Sequence, residues 1–122
     1  MAAARRFEEL RCWQRGRELV TLVYSLTSAE LIARDFAMKD QIRRAAISVM
    51  NNIAEGFGRE SNKEFIRFLE ISHASCTEVK SMIYILDDLG YLPDDSIQQL
   101  HSKTDEIRGL TRGLIKYLRT QP

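Results

Sequence analysis

The chain has 122 residues, a net charge of +1, 44% hydrophobic and 29% charged residues. That length suits one domain able to bury a core without disulfides or a structural metal. The balanced charge excludes a chain that is basic throughout, so contact with nucleic acid would need charge sorted onto one face.

No apolar run at the start reads as a signal peptide, and none is long enough for a membrane span. Without a secretory signal, Cys12 and Cys76 point to a reducing cytoplasm and free thiols. The only prolines are Pro93 and Pro122, which leaves room for long helices. The apolar period is helical nearly throughout, with no alternating strand pattern, no repeat and no low-complexity tract.

The first helix is expected from about Glu8 to Leu26, with a stripe of Trp13, Gly16, Val20 and Val23 widened by Leu19, Leu22 and Leu26. Residues 27–37 read as a connection. The second helix is expected from about Met38 to Gly56, with Ile42, Ala46, Val49, Ile53 and Phe57 on one face. Gly56-Phe57-Gly58-Arg59 invites a phosphate-loop reading. No strand precedes it and no Gly-Lys-Ser/Thr follows, so it reads as a turn closed by glycines in the left-handed conformation.

Ser61-Asn62-Lys63-Glu64 is an S-x-x-E capping box. It opens a third helix expected over Asn62 to Leu89, whose seam is Phe65, Leu69, Ser72, Cys76, Val79, Ile83 and Leu86. Phe68, Ile71, Met82 and Ile85 broaden that face. Gly90 takes the C-cap position, with Pro93 beyond it. A fourth helix follows Asp94 and Asp95, with the seam Ile97, Leu100, Thr104, Ile107, Thr111, Leu114 and Leu118. Short connections between the last three helices make neighbours antiparallel, and an all-α, up-down four-helix bundle spanning residues 1–122 as one domain is the expected fold.

No constellation for catalysis emerges. Glu70 and His73 form a Glu-x-x-His pair, but the position three before His101 is Gln98, so the second pair of a di-iron site is missing. His73 with Cys76 falls short of a zinc set. No nucleophile elbow is present. The expectation is a protein without catalytic residues, metal or cofactor.

Two other features stand out. On the second helix, Arg44, Ser48, Asn51 and Glu55 form a polar stripe with Asn52 at its edge, either a solvated face or a hydrogen-bonded layer that sets register. Ile47, Met50 and Ala54 form a lateral apolar patch, the expected oligomer interface. Basic residues gather at both ends of the sequence: Arg5, Arg6, Arg11, Arg15 and Arg17 first, then Arg108, Arg112, Lys116 and Arg119 in one helical sector. No acid occurs from residue 107 to residue 122. The sector reads as a solvated charged face or as a phosphate-binding stripe. Arg5, Arg6, Arg11, Arg15, Arg108, Arg112, Lys116 and Arg119 are the candidate nucleic-acid contacts.

The segments FEELRCWQRGREL (7–19), DQIRRAAISVMNNIAEGFGR (40–59), NKEFIRFLEIS (62–72) and DDLGYL (87–92) resemble the bacterial four-helix bundle proteins known as the ribosomal RNA intervening-sequence family. The chain departs from the usual pattern at Met50, Asn51 and Ala74. The resemblance implies an antiparallel bundle that assembles into a homopentamer. It also implies a distant similarity to accessory proteins of diversity-generating retroelements, pentameric bundles that bind a reverse transcriptase and nucleic acid. It brings no catalytic residues.

Three functions are therefore weighed. The first is an oligomeric scaffold binding RNA or DNA non-specifically through basic faces repeated by symmetry. The second is a protein-interaction module without nucleic acid, and the third an enzyme or metal protein.

Overall fold

The structure, a computed structural model, describes residues 4–122. A 3-10 turn at Phe7–Glu9 leads into α1 (Arg11–Leu26). The one-turn helix α2 (Glu30–Arg34) then precedes three long helices: α3 (Phe36–Phe57), α4 (Asn62–Asp88) and α5 (Asp94–Arg119). α1 packs against α3 and α5, α3 against α4, and α4 against α5. Each neighbouring pair is antiparallel, which gives the expected four-helix bundle, with α2 closing one end.

Core positions follow the helical period. α4 buries all seven expected seam residues, together with Phe68 and Met82. Ile71 and Ile85, expected on the same face, are instead 39% and 44% exposed on the outside. In α1 the buried line is Cys12, Gly16, Leu19 and Val23, with Trp13, Val20, Leu22 and Leu26 half-buried on either side. In α5 the buried residue after Thr111 is Ile115, and Leu114 is half-buried. A strict three-four alternation drifts off a 3.6-residue period over five turns, and a four-residue step restores the register here.

The terminations differ in kind. Ser61 Oγ accepts from the Glu64 N–H at 3.2 Å, which realises one half of the capping box; Glu64 turns to Arg67 instead of back to the cap. α4 ends on Gly90 at φ 67°, with Gly90 N–H donating to Asp87 O and Tyr91 N–H to Leu86 O, both 3.0 Å. That is the Schellman pattern, which uses the left-handed residue a glycine provides.

The turn after α3 is built otherwise. Gly58 is right-handed, at φ −78° and ψ −3°, and Gly56 lies inside the helix, so the expected left-handed closure does not occur. Tight bonds from Gly58 N–H to Glu55 O and from Arg59 N–H to Gly56 O close the last turn. Gly56 is small because α4 crosses there: a Cβ on it would stand 2.6 Å from Phe68 Cβ and 3.0 Å from Phe65 Cδ1. Phe57 meets Phe65 edge to face, and the guanidinium groups of Arg59 and Arg67 lie over the Phe68 ring at 4.7 and 4.9 Å. Aromatic packing occupies the place where a phosphate loop would offer backbone amides.

Residues 27–37 hold more structure than a plain connection. Ile32 of α2 is fully buried. Asp35 caps α3 by accepting from Met38 N–H at 3.1 Å and receives the Tyr91 hydroxyl at 2.9 Å. That one carboxylate joins the entrance of α3 to the α4–α5 connection and raises the Tyr91 hydroxyl above its ordinary pKa. At the start of the chain the expected helix is interrupted, because Leu10 is extended between the 3-10 turn and α1. Phe7 folds back onto Trp13 with centroids 5.1 Å apart.

Candidate nucleic-acid interface

The antiparallel order brings the first arginines of the chain and the last turns of α5 to one end of the bundle. The start of α1, the end of α3, the start of α4 and the end of α5 meet there. Arg5, Arg6, Arg11, Arg59, Lys63, Arg67, Lys116 and Arg119 outnumber Glu8, Glu9, Glu55, Glu60, Glu64 and Glu70 at that end. At the other end Asp35, Asp40, Asp87, Asp88, Asp94 and Asp95 outnumber Arg34, Lys39 and Arg43. Two helix N-termini and two C-termini occupy each end, so the macrodipoles oppose one another and the asymmetry belongs to the side chains.

The α5 sector faces α4. Arg108 Nε donates to Thr77 Oγ1 at 3.0 Å, Arg112 approaches His73 Nε2 at 3.3 Å, and Arg119 pairs with Glu70 at 3.2 Å. Lys116 is exposed and makes no ion pair among the described residues. Arg5, Arg6 and Arg11 are exposed as well, Arg6 lying 3.8 Å from Glu9.

Arg15 sits apart, on the opposite flank of α5. Its guanidinium binds Glu106 at 3.0 Å and Glu18 at 2.9 Å, and Glu18 in turn binds Lys103 at 2.6 Å. The hydrogen bond to Glu106 raises Arg15 above its ordinary pKa, and the one from Lys103 lowers Glu18. This network sets α1 against α5 and neutralises the charge that Arg15 would offer a phosphate.

The polar stripe of α3 divides. Arg44, Asn51 and Glu55 are exposed, whereas Ser48 and Asn52 form a layer between helices. Ser48 Oγ meets Ser75 Oγ at 2.8 Å and accepts from Asn52 Nδ2 at 2.9 Å, and the buried Ser72 hydroxyl donates to Val49 O at 2.7 Å. The register of α3 on α4 is thereby fixed. Ile47, Met50 and Ala54 lie half-buried on the other flank of α3. The position of a Cβ on Gly16 of α1 is 3.1 Å from Met50 Cβ and 3.3 Å from its Cα. The backbone and Cβ of Met50 therefore stand close against α1, while its side chain, like those of Ile47 and Ala54, keeps part of its surface open to solvent.

His73 lies on the face of α4 turned toward α5. Thr111 gives its hydroxyl hydrogen to Ile107 O at 3.0 Å and accepts from His73 Nδ1 at 3.0 Å. Nε2 is then the bare nitrogen facing Arg112. Burial, reinforced by Arg112 and Arg108, lowers the His73 pKa. Burial and Lys80, whose Nζ lies 3.0 Å from Nδ1, lower that of His101. Among the described residues no three of His, Cys, Asp and Glu gather as metal ligands. Both thiols are buried and free, with burial pushing Cys12 up to about 11 and Cys76 to about 12.

A pH dependence follows. Both imidazoles titrate lower in the folded chain than near 6.5, where they titrate unfolded, so the unfolded state takes up the extra protons. Their contribution is complete above about pH 6.5 and is lost as the pH falls through that value toward the folded pKa. Thermal melts should show the midpoint dropping between about pH 7.5 and about pH 5.5. His73→Gln should flatten the drop.

The arrangement defines an antiparallel four-helix bundle whose charged groups serve register and surface. No helix among the described residues is long and apolar enough to cross a membrane. The chain belongs to the 23S rRNA-intervening sequence protein family, whose pattern matches residues 8–113. The crystal structure of a protein of unknown function from the S23 ribosomal protein family of Bacteroides thetaiotaomicron shares the fold. It gives a TM-score of 0.79 at 23% identity and covers 86% of this chain and 98% of that one. No curated protein matches the chain.

Proposed function

We propose that this chain is a non-enzymatic, cytoplasmic scaffold that assembles as a homo-oligomer, a pentamer, and binds RNA or DNA without sequence preference. The observation that carries the reading is the α5 sector, which runs from mid-bundle through Arg112 to Lys116 and Arg119 at the end where Arg5, Arg6 and Arg11 begin the chain. Arg112 and Lys116 lack carboxylate partners among the described residues. Phosphate contact of this kind releases counterions and is indifferent to base sequence. Tyr117 is 58% exposed but lies off the stripe, so among the described residues no aromatic platform accompanies the stripe for base stacking.

The outer side of α4 supports self-assembly. Ile71, Ile85 and Leu89 are 39 to 52% exposed, apolar side chains on one side of the helix that a second copy would cover.

Fluorescence anisotropy with labelled RNA and DNA oligonucleotides of mixed sequence tests the binding. Affinity should be similar for all of them and fall steeply as salt rises. Absence of binding at about 50 mM salt, where the electrostatic attraction is strong, would leave the protein-interaction module as the better reading. Sedimentation tests the assembly: Ile85→Asp should yield monomers of unchanged helicity, and a monomeric wild type overturns the oligomer.

A further inference from the structure

A cleft of about 290 Å³ between α4 and α5 is lined by Glu70, His73, Arg112, Ile115 and Arg119. Ile115 is buried and forms an apolar floor. The bond from Nδ1 to Thr111 holds the His73 ring so that Nε2 points at Arg112, 3.3 Å away. Arg119 reaches across from the last turn of α5 to Glu70. Among the described residues Arg112 therefore has only an uncharged nitrogen lone pair as its side-chain partner. That leaves a planar, permanently charged donor free for an oxyanion.

We propose that this cleft is a phosphate-binding subsite, in which Arg112 and Arg119 hold the anion and His73, by taking up a proton at Nε2, becomes a third donor. The phosphate belongs either to a nucleic-acid backbone, in which case the subsite rests on the reading above, or to a free phosphorylated molecule.

The chemistry runs in one direction. In the empty cleft, burial and the two neighbouring arginines keep the ring neutral. An anion that parts Arg112 from Nε2 and accepts from both reverses that balance, because a protonated ring then faces a negative charge instead of a guanidinium. The cost lies in parting Arg112 from Nε2 and in releasing Arg119 from Glu70. Their side chains are 61% and 55% exposed, and an exposed pair of this kind separates readily.

The charged groups around the ring are Glu70 from its own helix and Arg108, Arg112 and Arg119 from α5. α3 meets α4 on the opposite flank, through Ser72 and Ser75. Binding is thus linked to proton uptake and strengthens as the pH falls.

The test is an NMR pH titration of the two histidine rings in the full-length protein, at matched ionic strength. It is run without ligand, with inorganic phosphate, and with a short oligothymidylate. The His73 titration should move up by about half a unit or more with at least one phosphate probe, which corresponds to roughly threefold tighter binding in acid. His101 should stay in place. Arg112→Gln should abolish the ligand-induced movement. His73→Gln should bind near pH 7.5 but lose the strengthening in acid.

Movement with the oligonucleotide establishes a backbone subsite. Movement with inorganic phosphate, without oligonucleotide binding, keeps the subsite for small phosphorylated molecules and removes the nucleic-acid reading. Salt-dependent oligonucleotide binding with His73 unmoved by either probe overturns the subsite and leaves that reading standing. No binding and no movement overturn both.

Discussion

Gly56→Leu is expected to destabilise the bundle by about 3 kcal/mol or more, read from denaturant midpoints. A leucine begins with a Cβ, and at this position that atom would overlap the Phe68 Cβ and crowd the Phe65 ring and carbonyl. The overlap cannot be relieved by rotating a flexible tip, since it involves atoms fixed to the α4 backbone. The end of α3 has to move off α4, taking the Phe57–Phe65 contact and the cover over Phe68 with it.

A control separates this steric effect from the general behaviour of glycine in helices. Gly109 and Gly113 of α5 face open space, so alanine at either should stabilise by about 0.5–1 kcal/mol. If Gly56→Ala also stabilised, close packing would not be the reason for the glycine.

Reversing two charges on α5, Arg112→Glu with Lys116→Glu, is expected to weaken oligonucleotide binding at least about tenfold. The salt slope should fall by about two, one for each phosphate contact removed. Every sequence should be affected alike, because contacts to phosphate carry no base information. Neither residue makes an ion pair among the described residues, so the stability change should stay within about 0.5 kcal/mol. The oligomer must be shown intact in the same buffer, since repeated weak sites act together. Arg15→Glu makes the converse control. It strands Glu18 and Glu106 beside a third carboxylate and should loosen α1 from α5. A double reversal that bound as well as the wild type would place the nucleic-acid surface elsewhere or remove it.

What was legible in the sequence is what depends on local spacing. The seam of α4, the cap at Ser61 and the glycine stop at Gly90 are each decided within a few residues of themselves. The period-based lines on α1 and α5 slipped by one position where flanking residues are also apolar, as at Leu114 and Ile115. Gly56 showed the limit more sharply. A glycine near a helix end reads as a left-handed cap, and only the crossing of α4 at Phe65 and Phe68 reveals that it is a contact.

The candidate site divides in the same way. That Arg108, Arg112, Lys116 and Arg119 share one sector follows from helical spacing. That His73 and Glu70 line the same cleft requires the register of α4 on α5, which the sequence does not state. Arg15 looked like part of a basic cluster until Glu106, 91 residues away, turned out to be its partner. α2 was missed because a five-residue helix leaves too little periodicity to see.

The sorting of charge to opposite ends alters what the formal net charge of +1 means. α5 alone has 26 residues and is about 39 Å long. Mobile ions screen charge over about 8 Å in physiological salt. A polyanion near the basic end is therefore shielded from the carboxylates at the far end and meets a locally cationic object. In dilute buffer the screening distance grows, both ends are felt together, and the molecule experiences a torque that turns its basic end toward the polyanion during approach. Adding salt should then slow encounter more than it hastens escape.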